Sequence, residues 1–69
     1  MSKFKIEISS VPDRENVVVE IWFDETLVAE INQETGKLEI EFYLSEKIAF
    51  ELSEFQETLE MAKRKMMEG

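Results

Sequence analysis

From Lys3 to Leu44, apolar and polar side chains alternate through four successive runs, and each run stops at residues that favour a turn. Neighbouring side chains of a strand point to opposite faces, so such a run has one face to bury and one to show. In residues 3–9, Phe4, Ile6 and Ile8 stand opposite Lys3, Lys5 and Glu7. Residues 17–23 put Val17, Val19, Ile21 and Phe23 on one side, with Val18, Glu20 and Trp22 on the other. Their β-branched and aromatic side chains suit a pleated surface. Residues 27–33 set Leu27, Ala29 and Ile31 against Val28, Glu30 and Asn32. Residues 38–44 set Leu38, Ile40, Phe42 and Leu44 against Glu39, Glu41 and Tyr43. A chain patterned this way is committed to a half-buried sheet.

The punctuation between the runs gives the pairing. Residues 10–16 gather turn formers around the single proline, Pro12, and read as a loop. Asp24-Glu25-Thr26 forms a short turn, and Thr35-Gly36 gives a hairpin in which Gly36 can take positive φ at little steric cost. Closing the middle hairpin around Glu25 sets Ile21 opposite Ala29 and Glu20 opposite Glu30. Closing the next around Thr35-Gly36 sets Ala29 opposite Phe42 and Glu30 opposite Glu41. Both hairpins keep the apolar residues on one face, the condition for a correct register.

The C-terminal third has two readings. Ile48, Leu52, Phe55, Leu59, Ala62 and Met66 recur at helical spacing, as in one long helix from a Ser45 cap. Alternatively Ile48 to Leu52 forms a fifth short strand that turns Phe50 inward, and Ser53-Glu54-Phe55-Gln56 opens the helix as a capping box. The second is preferred, because it buries Phe50 and matches the helix length to the strands. Phe55, Leu59, Ala62 and Met66 then form the stripe that covers the sheet, with Met61 and Met67 off it. Lys63, Arg64 and Lys65 suit the negative end of the helix dipole. The fold class is α+β: one domain over residues 1–69, an antiparallel meander of four or five strands with one C-terminal helix on one face.

Composition narrows the chemistry. The 69 residues contain no cysteine and no histidine, which removes disulfides, thiolate nucleophiles, zinc clusters and the commonest general base. No apolar run reaches the ~20 residues of a membrane span, and the opening residues Met1-Ser2-Lys3-Phe4-Lys5 carry no signal-peptide core. A soluble cytoplasmic protein is expected. Sixteen acidic against eight basic residues give a formal net charge of −8, which repels nucleic acid and anionic membranes and attracts basic surfaces. The same excess also serves plain solubility.

With one sheet face given to the core, the other is the candidate surface. The register lines up Glu20, Glu30 and Glu41, with Glu51 joining them if the fifth strand forms. Trp22, Val28 and Tyr43 make a second row, and Val18, Asn32 and Glu39 a third. Like charges directly opposite one another destabilise a sheet, so such a row points to a basic partner, with the aromatics as anchors. The plainer reading is a solvated face bearing two scattered aromatics. Paired carboxylates also serve acid–base catalysis, but that needs a concave, partly dry site, and a meander with one helix has little material for one. The sequence has no calcium-binding loop of the helix–loop–helix kind and no phosphate loop. Accordingly no catalytic residue, metal ligand or cofactor is expected, and the partner-binding set is Glu20, Trp22, Val28, Glu30, Glu39, Glu41, Tyr43 and Glu51.

The stretches Ile6-Glu7-Ile8-Ser9, Glu30-Ile31-Asn32-Gln33-Glu34 before the glycine turn, and Phe50-Glu51-Leu52-Ser53-Glu54-Phe55 entering a helix carry a loose likeness. Across most of its length the chain resembles the small acidic immunity proteins of bacterial toxin systems. That resemblance implies cytoplasmic neutralisation of a cognate toxin, often a nuclease, by occupation of its basic cleft. It brings no catalytic residues. Phage inhibitors that mimic DNA, the anti-CRISPR proteins among them, share the size and charge. A small assembly module that self-associates is the alternative from another class. A monomer or weak homodimer is expected.

Overall fold

The computed structural model describes residues 3–10 and 17–68. Four strands, β1 (Phe4–Ser9), β2 (Val18–Phe23), β3 (Thr26–Asn32) and β4 (Glu39–Phe42), precede one helix, α1 (Leu52–Glu68). The strands form a single antiparallel sheet in the order β1-β2-β3-β4, and α1 lies across one face. The protein is an α+β meander backed by a C-terminal helix. From Val11 to Asn16, the loop expected over residues 10–16 lies outside the described residues.

Both counted hairpins have the expected pairs: Ile21 faces Ala29, Glu20 faces Glu30, Ala29 faces Phe42, and Glu30 faces Glu41. Gly36 takes φ +86° in the last turn, where a side chain would be strained. The middle turn differs. It is a two-residue Asp24-Glu25 turn, because Phe23 pairs with Thr26 and Trp22 with Leu27. Asp24 has φ +53°, a conformation that aspartate tolerates better than most side chains. Two-residue turns match the twist of their strands, and the leftover residue is taken up by a bulge between Ile21 and Trp22. That residue is Val28.

The inner face carries the core. Val19, Ile21, Ala29 and Ile31 of the sheet are buried with Ala62 and Met66 of α1, and Val28 joins the same cluster. Phe55, Leu59, Ala62 and Met66 form the helix stripe as expected; Thr58 is also buried, its hydroxyl donating to the Glu54 carbonyl at 2.8 Å. Met61 and Met67 are exposed.

The fifth strand expected from Ile48 to Leu52 does not form: residues 48–51 are neither strand nor helix, and Leu52 already belongs to α1. Phe50 nevertheless turns inward, with ring centroids 5.0 Å from Phe4, 5.0 Å from Phe23 and 5.5 Å from Phe55. Aromatic packing, worth about 0.5–1.5 kcal/mol per pair beyond burial, holds the segment without a ladder. The helix also begins ahead of the expected Ser53 cap. The Glu51 carboxylate accepts the amides of Ser53 at 3.1 Å and Glu54 at 3.0 Å, and Phe55 N–H bonds the Glu51 carbonyl at 3.0 Å. Glu51 is therefore the N-cap, where its charge also suits the positive end of the helix dipole.

Candidate functional site

The outer face carries a line of glutamates that crosses every strand. Glu7 pairs with Glu20, Glu20 with Glu30, and Glu30 with Glu41. With strands ~4.8 Å apart, the row is about 14 Å long. Its middle is the more enclosed part: Glu30 is 8 % exposed and Glu20 half-buried, whereas Glu7 and Glu41 are exposed.

Each carboxylate meets a donor on the same face. The Trp22 indole N–H donates to Glu20 at 3.2 Å, and the Tyr43 hydroxyl to Glu30 at 3.3 Å. The Asn32 amide donates to Glu41 at 2.9 Å, and Lys5 sits 3.3 Å from Glu7. Asn32 itself is buried, and its side-chain oxygen accepts the Glu34 amide at 3.2 Å, which fixes the direction of its N–H groups. Hydrogen bonds to an ionised acceptor are stronger than neutral ones, so these donors offset part of the repulsion along the row. Three of the four donors are neutral, and they orient the carboxylates without cancelling their charge. Glu39 closes the pattern at the end of β4, paired with Asn32 and accepting the Thr35 hydroxyl at 2.7 Å.

Most of the expected surface assembles here: Glu20, Trp22, Glu30, Glu39, Glu41 and Tyr43 share the outer face. Two residues do not. Val28 is fully buried, because the bulge sends it into the core and gives Leu27 the place opposite Trp22. Glu51 is spent on the helix cap and belongs to no sheet row. Conversely, Glu7 belongs to the row and was missed. Its alternation with Ile6 and Ile8 was visible, but residues 10–16 offered no tight turn from which to count the β1–β2 register. Trp22 is half-buried and Tyr43 47 % exposed, so the aromatics lie against the carboxylates with part of each ring open to solvent.

The row runs over the side of the sheet away from the helix. Its carboxylates lie on an extended face, while larger clefts flank the helix on the opposite side, one of about 730 Å³ between β1 and α1. Among the described residues, no three acidic side chains are placed to hold a metal ion, and no helix is long and apolar enough to cross a membrane. Comparison with known protein families, curated proteins and solved structures finds no match for the chain. Fold and face together define a small helix-backed meander with a line of glutamates across the side away from the helix, where Val18 and Asn32 are buried as well.

Proposed function

We propose that the protein is a stoichiometric inhibitor that docks a basic surface of another protein on its outer sheet face, as an immunity protein neutralising a toxin in the cytoplasm would. The observation that carries this reading is the glutamate row Glu7–Glu20–Glu30–Glu41, each member directly opposite the next. Like charges so placed cost stability, and a solvated face has no need to line them up. Trp22 and Tyr43 supply the flat, partly wet aromatics on which interface energy concentrates. The net charge of −8 extends the attraction beyond contact range and speeds encounter with a positive cleft. A nuclease fits as the target, since a groove that binds nucleic-acid phosphates is positively charged.

The test is to isolate the binding partner from the source organism and measure association at low and high salt. A basic partner is expected, with an on-rate that falls steeply as ionic strength shortens the screening length from ~30 Å to ~8 Å. Glu20→Gln with Glu41→Gln slows association far more than it speeds dissociation. Trp22→Ala weakens binding by about 2–4 kcal/mol. An on-rate indifferent to salt defeats the proposal.

A further inference from the structure

The row of glutamates ends at an open edge. β4 is the last strand of the sheet, and α1 rests on β1, β2 and β3 without reaching it. Ile40 and Phe42 point to the core side of the sheet yet remain 38 % and 59 % exposed. Beside them runs a groove of about 430 Å³, bounded by the apolar Ile31, Leu38, Ile40, Phe42 and Leu59 and by Glu60 and Lys63 of α1. The backbone is turned outward there as well. Tyr43 N–H donates to the Val28 carbonyl at 2.9 Å, so Tyr43 bonds inward to β3. Antiparallel ladders alternate, which makes Glu39 and Glu41 inward-bonding too and turns the amide and carbonyl groups of Ile40 and Phe42 to the open edge.

We propose that β4 takes on an added strand from a basic partner protein, an extended segment in which apolar side chains alternate with lysine or arginine. This deepens the function proposed above, and rests on its reading that the partner is basic. An antiparallel strand on this edge sets its apolar residues opposite Ile40 and Phe42, over the groove. Its intervening residues fall opposite Glu39 and Glu41, at the non-hydrogen-bonded positions where Cα atoms approach to ~4.5 Å. Opposite charges are favoured at those positions, and like charges opposed.

Charge also disfavours a second copy in the central registers. Pairing β4 with itself in a register centred on Glu39, Ile40 or Glu41 places glutamate against glutamate. The edge at β1 is built differently. Lys5 and Glu7 pair along it at 3.3 Å, and Phe4 and Ile6 are half-buried against the core, which leaves Ile8 as the exposed apolar residue of that strand. Charge complementarity therefore selects β4, and selects a basic strand.

The probe is a capped peptide of about eight residues, near the usual strand length, that alternates valine with lysine. Its counterparts carry glutamate for lysine, or serine for valine. Titrated into the isotope-labelled protein, the lysine–valine peptide shifts the amides of Ile40 and Phe42, and both counterparts bind about tenfold more weakly or worse. Glu41→Lys reverses the preference towards the glutamate peptide. Ile40→Pro removes an outward N–H while leaving the inward bonds of Glu39 and Glu41, and abolishes binding; should that variant fail to fold, the Glu41→Lys reversal decides. Equal binding of the lysine and glutamate peptides overturns the inference. Shifts confined to Glu20, Trp22 and Tyr43 also overturn it, while leaving the outer-face proposal standing. Edge amides that shift with protein concentration alone would give the edge to a second copy, and overturn it too.

Discussion

β3 and β4 are adjacent strands of one sheet with the same alternation, yet they experience different environments. Ala29 and Ile31 of β3 are buried beneath α1, whereas their cross-strand partners Phe42 and Ile40 stay exposed. The difference is one of cover. A single helix is about 10 Å wide, and a sheet of four strands at ~4.8 Å spacing is wider than that. Here α1 sits over β1 to β3 and leaves the last strand open. Along β3 and β4, alternation says which face Ala29, Ile31, Ile40 and Phe42 take, and the helix says which of them stay dry.

The sharpest way to break this comparison is to remove a side chain from the covered part. Ile21 is completely buried in the middle of the sheet. Ile21→Ala is expected to cost about 2–5 kcal/mol in a denaturant melt, enough to threaten a domain whose whole stability is of order 5 kcal/mol. A loss below ~1 kcal/mol would mean that the helix does not seal this region.

The next effect tests how the covering helix is fixed at its start. Glu51→Ala removes the carboxylate that accepts the Ser53 and Glu54 amides, at an expected cost of about 1 kcal/mol. In a domain of this size that lowers Tm by roughly 4–8 °C. Ser53→Ala, by contrast, is expected to change little, since Ser53 is not the cap. A reversed order of the two melts would restore Ser53 as the start of the helix.

The smallest effect lies on the uncovered strand. Ile40→Ala is expected to cost less than about 1.5 kcal/mol, because a side chain 38 % exposed leaves no closed cavity when it is shortened. Measured beside Ile21→Ala, it gives the contrast between the two regions directly. Equal losses would show that β4 is covered in solution.

Much of this was legible in the alternation. The faces of Val19, Ile21, Ala29 and Ile31, the pairing of Glu20 with Glu30 and Glu41, and the Gly36 turn follow from local rules of strand and turn geometry. The row was readable wherever a short turn let the register be counted. It was unreadable at Glu7, where a long connection removed the count. Val28 escaped for another reason: a three-residue turn and a two-residue turn with a bulge give identical pairs at Ile21 and Glu20, and diverge beyond them.

By itself the sequence determined a small acidic meander with a C-terminal helix, because side-chain period, turn residues and charge are properties of neighbours along the chain. The tertiary structure decided which strand the helix leaves bare, that Phe50 is held by rings without a strand, and that Glu51 caps the helix instead of lengthening the acidic row. Those outcomes depend on where elements distant in sequence meet in space. Helix width, ring packing and the competition of one carboxylate for two uses settle them there.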